Sequence, residues 1–376
     1  MINEVFDSLR KCGGFFMEMT HRERILNALR GKEVDRIPWS PFLAYYWENL
    51  PMEVQNRGQI TYMLEMGSDP LLRGFLQLFD TKINNCNIIE KQNGNKKYMT
   101  YETKVGSITK EYSFSLNANS WFLTGHPVKE EEDFKVLQYI TENTVVTENL
   151  QQFEEENKAL GENGLHLPLL GVHGKTAFQS MVEHWCGTVD LVYALYDFPE
   201  AVEECLAVIQ EKDLEAVKIS AKSSADGFIF WEDSSTTNIS PDFFSKYTAP
   251  EINQWGNVIH NHEKLLVHHA CGHLKDLLHL MAKTEIDVIE SISPPPTGNI
   301  EIKDAIKLLP DHIGIIGGIE PTFIENCNLE MLEACVCDLA STMKGKRFIL
   351  ANSDSCPPNV AYEKFLLVSE LVRKLK

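Results

Sequence analysis

The residues best placed to do chemistry lie in the stretch Lys264–His273, where an apolar run ends in three histidines and a cysteine. Alternate residues of a strand share a face, so His269 and Cys271 point to the same side and converge as two soft ligands. A second apolar run, Phe348–Asn352, leads into Ser353-Asp354-Ser355-Cys356, another thiol just beyond another strand. One imidazole and two thiolates with a position left open form the donor set of a catalytic zinc. A lone His-x-Cys is more often a core histidine beside an inert thiol; the second strand-end cysteine sets metal ligation by His269, Cys271 and Cys356 level with that reading.

Other polar residues end neighbouring apolar runs. Glu290 closes the run after the His-x-Cys stretch and is placed to fill the fourth metal position when substrate is absent, or to be a solvated carboxylate. Glu232 and Asp233 follow Gly227-Phe-Ile-Phe-Trp231 and are suited to hold a substrate hydroxyl, orient the His269 ring or give a proton to a leaving alkoxide. Capping the next helix or bonding loop amides is the blander role for both. His173 is a pocket-lining candidate that competes with a purely structural histidine. Tyr45 and Tyr46, with Trp47, offer an apolar wall or simple packing. His268 should face away from His269, and His273 is the main rival for the histidine ligand. Cys335 and Cys337 read as core thiols of a helix.

Elements that position these residues are legible in the patterning. Residues 1–17 have weak helical character and read as an extension. Thr20–Arg30 is a helix with a Thr20/Glu23 capping box, a buried stripe of Ile25, Leu26 and Leu29, and Gly31 as its stop. Arg36–Ala44 reads as a first strand despite its prolines. From Lys91 to Leu123 short alternating runs predict antiparallel strands, an insertion spanning 86–125, and the acidic stretch 127–161 reads as helical. After Gly161 apolar runs alternate with helical segments to the end of the chain, and each run carries its polar residues at its C-terminal end. That rhythm predicts an α/β fold, a (β/α)8 TIM barrel over residues 1–376 with an N-terminal helical and β-hairpin elaboration. A doubly wound sheet is the runner-up, and no Gly-x-Gly-x-x-Gly or Walker loop supports it.

Composition narrows the partners. The 376 residues carry 35 Lys+Arg against 54 Asp+Glu, a formal net charge of −19, which disfavours nucleic acid and anionic membrane surfaces. No apolar run of about 18 residues is present, and Met1–Asp7 lacks the pattern of a signal peptide. Nine cysteines, an odd and scattered set, read as free thiols in a reducing compartment, so a cytoplasmic location is expected.

The segments Met19–Gly31 and Asp35-Arg-Ile-Pro38, Trp185-Cys-Gly187 followed by Asp197-Phe-Pro-Glu200, Ser240-Pro241 and His269-Ala-Cys-Gly272, taken in order, resemble the uroporphyrinogen decarboxylase superfamily. The likeness runs from about Thr20 to the C-terminus. Within it, His-x-Cys with a distant Cys is similar to the zinc-dependent methyltransferases that exchange methyl groups with a corrinoid protein. The resemblance implies a barrel, a Zn2+ ion on His269, Cys271 and Cys356, and a methylcobalamin-type corrinoid on a partner, since this chain has no Asp-x-His-x-x-Gly segment. It also suggests Tyr45 and Tyr46 as a wall for the corrin face. The small substrate would be a methyl ether, methylamine, methanol or a thiol acceptor. Decarboxylases of the superfamily carry Arg-Gln-Ala-Gly-Arg-Tyr near the first strand; here Ser40–Trp47 stands in its place without arginine. A metal-free, decarboxylase-like lyase is therefore the alternative, and a non-catalytic docking barrel the third reading.

Overall fold

The computed structural model describes residues 18–116 and 120–375, and the expected extension of residues 1–17 lies outside them. Two compact units are present, one made of Leu72–Lys158 and His166–Ile313, the other of residues up to Leu71, Ala159–Leu165 and Gly314–Lys376.

The first unit receives the chain from β1 (Leu71–Arg73) and continues into β2 (Phe79–Ile83). Then β3 (Cys86–Asn93), β4 (Lys96–Thr103), β5 (Gly106–Ser115) and β6 (Ser120–Gly125) form an antiparallel sheet. A helix, Glu131–Glu142, packs between β5 and the long helix Pro199–Ser220. The acidic stretch read as helical throughout is interrupted here: β7 (Thr144–Glu148) pairs antiparallel with β2 before helix Gln151–Leu160. Its Thr-Val-Val-Thr core is β-branched, and Val146 buries against Phe79, so packing overrides the surrounding helical bias.

From β8 (Leu165–Leu167) the strand and helix alternation begins. Leu169 bridges in parallel to Ile229 of β9 (Gly227–Glu232), which pairs in parallel with β10 (Leu265–Ala270), which in turn pairs with β11 (Val288–Ile292). All six residues of β10 and all five of β11 are buried, which is why they read as unbroken apolar runs rather than alternating ones. Helix Ala249–His260 leads into β10 and packs on it.

In the second unit β12 (Gly314–Ile319) and β13 (Phe348–Asn352) are parallel and fully buried, with helix Leu329–Thr342 between them and Tyr362–Lys374 after them. Helix His21–Leu29 starts with the expected capping box: Thr20 accepts the Glu23 N–H while Glu23 accepts the Thr20 N–H. Ile25 and Leu29 are buried as anticipated, Leu26 is half-buried, and Arg24 and Ala28 complete the stripe. The segment Arg36–Ala44 is no regular strand. It makes one parallel bridge, Trp39 to Leu350, because Pro38 and Pro41 have no N–H to give to a ladder. Asn352 completes the connection with both ends of its amide, accepting the Phe42 N–H and donating to the Phe42 carbonyl, each at 2.9 Å.

Arg24 can be buried because Asp69 is buried with it. The Asp69 carboxylate accepts from Arg24 at 2.6 Å and from Arg36 at 2.7 and 2.9 Å, from the Trp39 N–H at 3.0 Å, and pairs with His21 at 2.8 Å. Burial works against its ionisation, but His21 and the guanidinium groups outweigh it and hold the pKa at about 2. A carboxylate with a depressed folded-state pKa stabilises above the unfolded value and loses that contribution as pH falls through the folded one. The expected result is a loss of about 2 kcal/mol between roughly pH 4 and pH 2 from this residue. Denaturant melts of wild type and Asp69→Asn over that range check it: the variant should show a flatter acid limb.

Candidate metal centre

At the C-terminal end of β10 the parallel register sets His269 between Trp231 of β9 and Glu290 of β11. The His269 Nδ1 lies 3.1 Å from Glu290 Oε2 and 3.2 Å from Ser291 Oγ. A carboxylate at Nδ1 fixes the proton there and leaves Nε2 as the lone-pair nitrogen, the usual way a ligating histidine is oriented. A ring nitrogen of His269 and Cys271 Sγ lie within 4.8 Å of each other, so the two side chains converge as strand alternation requires. Burial disfavours the charged imidazole, yet the Cys271 sulfur and the Glu290 carboxylate prevail and push its pKa up to about 10, so a metal would bind Nε2 by displacing its proton.

Glu290 is wholly buried and is held from its other oxygen by Arg73, at the end of β1. Burial opposes its ionisation, and the Arg73 guanidinium more than compensates, keeping the carboxyl below its ordinary range. Both Glu290 oxygens are therefore engaged, one by Arg73 and one by His269. After Cys271 the chain turns through Gly272 at φ +80°, where a Cβ would stand 2.8 Å from the Ser235 side chain. Only glycine meets both demands, and the turn ends β10 directly after its thiol. The Cys271 Sγ is 3.8 Å from Asp233 Oδ1. An imidazole oriented by a carboxylate beside a thiol is a donor set that fits zinc.

Glu232, also buried, accepts the Thr176 N–H at 2.7 Å and the Ser234 hydroxyl at 3.0 Å, and burial raises its pKa. This is the loop-amide role weighed against catalysis. Asp233 accepts from the Asn238 amide while facing Cys271. His268 turns away, as its place in the strand dictates: its ring stacks on Phe230 at 4.4 Å and burial lowers its pKa to about 3. The His273 N–H donates to Ser235 Oγ. His173 sits with its ring against His184 and Trp185 and lines a groove with Gly74, Phe75 and Gln77.

The remaining anticipated residues belong to the unit that holds β13. Cys356 is buried, its N–H donates to Phe42 and its carbonyl accepts from Tyr46, and burial pushes its thiol up to about 12. Tyr45 and Tyr46 lie in a short helix, Ala44–Glu48. Tyr45 is 59% exposed, whereas Tyr46 is buried on Phe365 with its hydroxyl 2.8 Å from that of Tyr62. Cys335 and Cys337 are half-buried on helix Leu329–Thr342.

Sequence reasoning missed Arg73, 217 residues away from Glu290. A charged residue closing the short apolar pair Leu71-Leu72 was the available signal. It also missed Asp213 and Glu251, helix residues whose buried carboxylates accept the Val172 and Ala177 N–H groups and so brace the loop that carries His173.

Parallel strands each followed by a helix, with the reactive side chains gathered past the strand ends, define an enzyme of the (β/α)8 class. The chain belongs to the uroporphyrinogen decarboxylase family, whose model, "Uroporphyrinogen decarboxylase (URO-D)", matches residues 123–375. Among solved structures, a methyltransferase from Methanosarcina mazei superposes with a TM-score of 0.60 at 13% identity, covering 95% of this chain and 99% of that one. A B12-independent methionine synthase from Shewanella sp. W3-18-1 is a looser likeness, TM-score 0.46 at 10% identity over 90% of this chain and 97% of that one. No curated protein matches by sequence. Among the described residues no helix is long and apolar enough to cross a membrane.

Proposed function

We propose that this protein is a zinc-dependent methyltransferase that moves a methyl group between a small substrate (methyl ether, methylamine, methanol or thiol) and the cobalt of a separate corrinoid protein. The observation that carries the reading is the His269–Glu290 contact beside Cys271, a carboxylate-oriented imidazole next to a thiol at a strand end. Cys356 is the third ligand in this proposal, on the sequence pattern that pairs it with the His-x-Cys. Zinc held there would activate a thiol or act as a Lewis acid toward a methyl ether, alcohol or amine.

The chain's own residues supply the rest. Glu290, tied by Arg73, holds the His269 ring, and filling an open metal position in the absence of substrate would require it to leave one of these partners. Asp233, beside Cys271, is the proton donor or hydroxyl-binding group, and Glu232 shapes the loop that presents it. Exposed Tyr45 is suited to meet a docking corrin, with buried Tyr46 anchoring its helix, and His173 is suited to line a cofactor pocket. The proposal takes the chain as one barrel domain with 86–125 as an insertion, working in the cytoplasm where its thiols stay reduced.

A metal-free decarboxylase is the reading the family's description would favour. Its substrate class needs cations, and Arg24 and Arg36 are occupied by Asp69 while Arg73 is occupied by Glu290. The deciding experiment is elemental analysis with a methylcobalamin-to-thiol transfer assay on the purified wild type. About one zinc per chain, with transfer abolished by a chelator and restored by zinc, is expected. Absence of zinc with decarboxylation of a porphyrinogen would overturn the reading.

A further inference from the structure

Away from the metal centre, a cavity of 110 Å³ is lined by residues of β2, β4, β5, helix Glu131–Glu142, helix Pro199–Ser220 and the loop of Val172 and His173. Its inner wall contains Lys110 of β5, a lysine only 6% exposed. Lysines at a surface normally extend the ammonium to water; this one is held inside. Its Nζ stands 3.8 Å from the centroid of the Trp185 ring and 5.8 Å from that of Tyr101. Among the described residues it has no hydrogen bond and no carboxylate partner, and burial alone shifts its pKa, downward to about 8, so it remains largely protonated at neutral pH.

The carboxylates around this cavity are engaged elsewhere, Asp213 by the Val172 N–H among them. His173 lines the same cavity, and His184 packs on His173 with ring centroids 5.2 Å apart. Lys175 is answered by Glu183, but that carboxylate is bound to it and to the Gln179 amide. Lys212, at the cavity's margin, pairs with Glu215 at 3.0 Å. In a chain of net charge −19 this is an ammonium with which no carboxylate of the described residues is paired. A buried ammonium needs a partner, and ring faces satisfy it only in part. Ile83, Ile140, Val172 and Ile209 give the lining an apolar side, and of its threonines, Thr81, Thr141 and Thr144, the last two already donate their hydroxyls to backbone carbonyls. Apolar surface with a few placed polar groups is the usual make-up of a small-molecule site.

We propose that this cavity binds a small organic carboxylate, with the carboxylate on the Lys110 ammonium and the apolar body against Ile83, Ile140 and Ile209. A free phosphate dianion fits less well, because it would bring a second charge and no apolar body to cover Ile83, Ile140 and Ile209. The site has its own residues and does not rest on the methyltransferase reading. It shares Val172 and His173 with the groove that opens beyond Arg73 at Gly74–Gln77.

Titration calorimetry of the full-length protein with benzoate, its neutral analogue benzamide and inorganic phosphate tests the assignment. Benzoate is expected to bind one per chain, with benzamide and phosphate at least tenfold weaker. Lys110→Met, which keeps the stem and removes the charge, is expected to weaken benzoate at least tenfold while retaining the wild-type metal content and circular dichroism. Failure of benzoate to bind, equal binding by Lys110→Met, or benzamide or phosphate matching benzoate on wild type would each overturn it. The ligand comparison on wild type decides the question even if the variant does not fold.

Discussion

Cys271→Ala is expected to give a folded protein that retains no zinc through dialysis and transfers no methyl group. Cys271 closes a strand and makes no packing contribution that a methyl group cannot partly replace, so secondary structure and denaturation midpoint should stay near those of the wild type. Metal affinity is another matter, because the thiolate is a ligand of the proposed centre and adds its charge to those of Glu290 and Asp233. Loss of an outer-shell partner alone costs about 10- to 100-fold in affinity or activity, and loss of a ligand should exceed the upper end of that range. Cys356→Ala should behave in the same way if it supplies the second thiolate. Zinc content by elemental analysis, read beside the methylcobalamin assay, is the measurement. Stoichiometric zinc in both variants would remove the centre from these residues.

Arg73→Met should be the most destabilising single change near the site. Glu290 is wholly buried, and Arg73 is the cation that keeps it charged. Removing one partner of a buried pair leaves an uncompensated charge, at a cost of about 3–5 kcal/mol. Ionisation of the carboxylate would then be less favoured, weakening its hold on His269 Nδ1, so metal affinity should fall with stability. Arg73→Met/Glu290→Gln separates the two effects. Stability should largely return, because no charge is left unpaired, while zinc binding should stay weak for want of a carboxylate on the imidazole. Denaturant midpoints and a zinc competition titration report each part, and a single variant as stable as the wild type would show that the pair does not bear on either.

The alternation of strands and helices after Gly161 was legible because buried parallel strands leave unbroken apolar runs, and the reactive residues were legible because they end those runs. His269 and His268 separate to opposite sides for the simplest of reasons, the period of two along a strand. Long-range partnership was not legible. Nothing near Glu290 in sequence announces Arg73, and the carboxylate that looked available at the rim is held in place by a side chain from β1. Local propensity also misled where packing decides. Thr144–Glu148 lies in acidic, helix-like surroundings yet completes an antiparallel pair with β2. Lys110, a charge in one of the alternating runs, is buried against Trp185, which the alternation alone does not announce. Prolines 38 and 41 reduced an expected strand to a single bridge for a reason that was visible: neither can donate a ladder hydrogen bond.

The connections of Trp39 to Leu350 and of Phe42 to Asn352, 310 residues apart, impose an order in time on the newborn chain. At about 5–20 residues per second of synthesis, the N-terminal segment emerges roughly 15–60 s before its partner strand exists. During that interval Trp39 and Phe42, both buried in the finished protein, have no native cover. The segment is thus a natural client for a chaperone on the ribosome, and slowing translation ahead of β13 should increase aggregation of this protein more than slowing it afterwards.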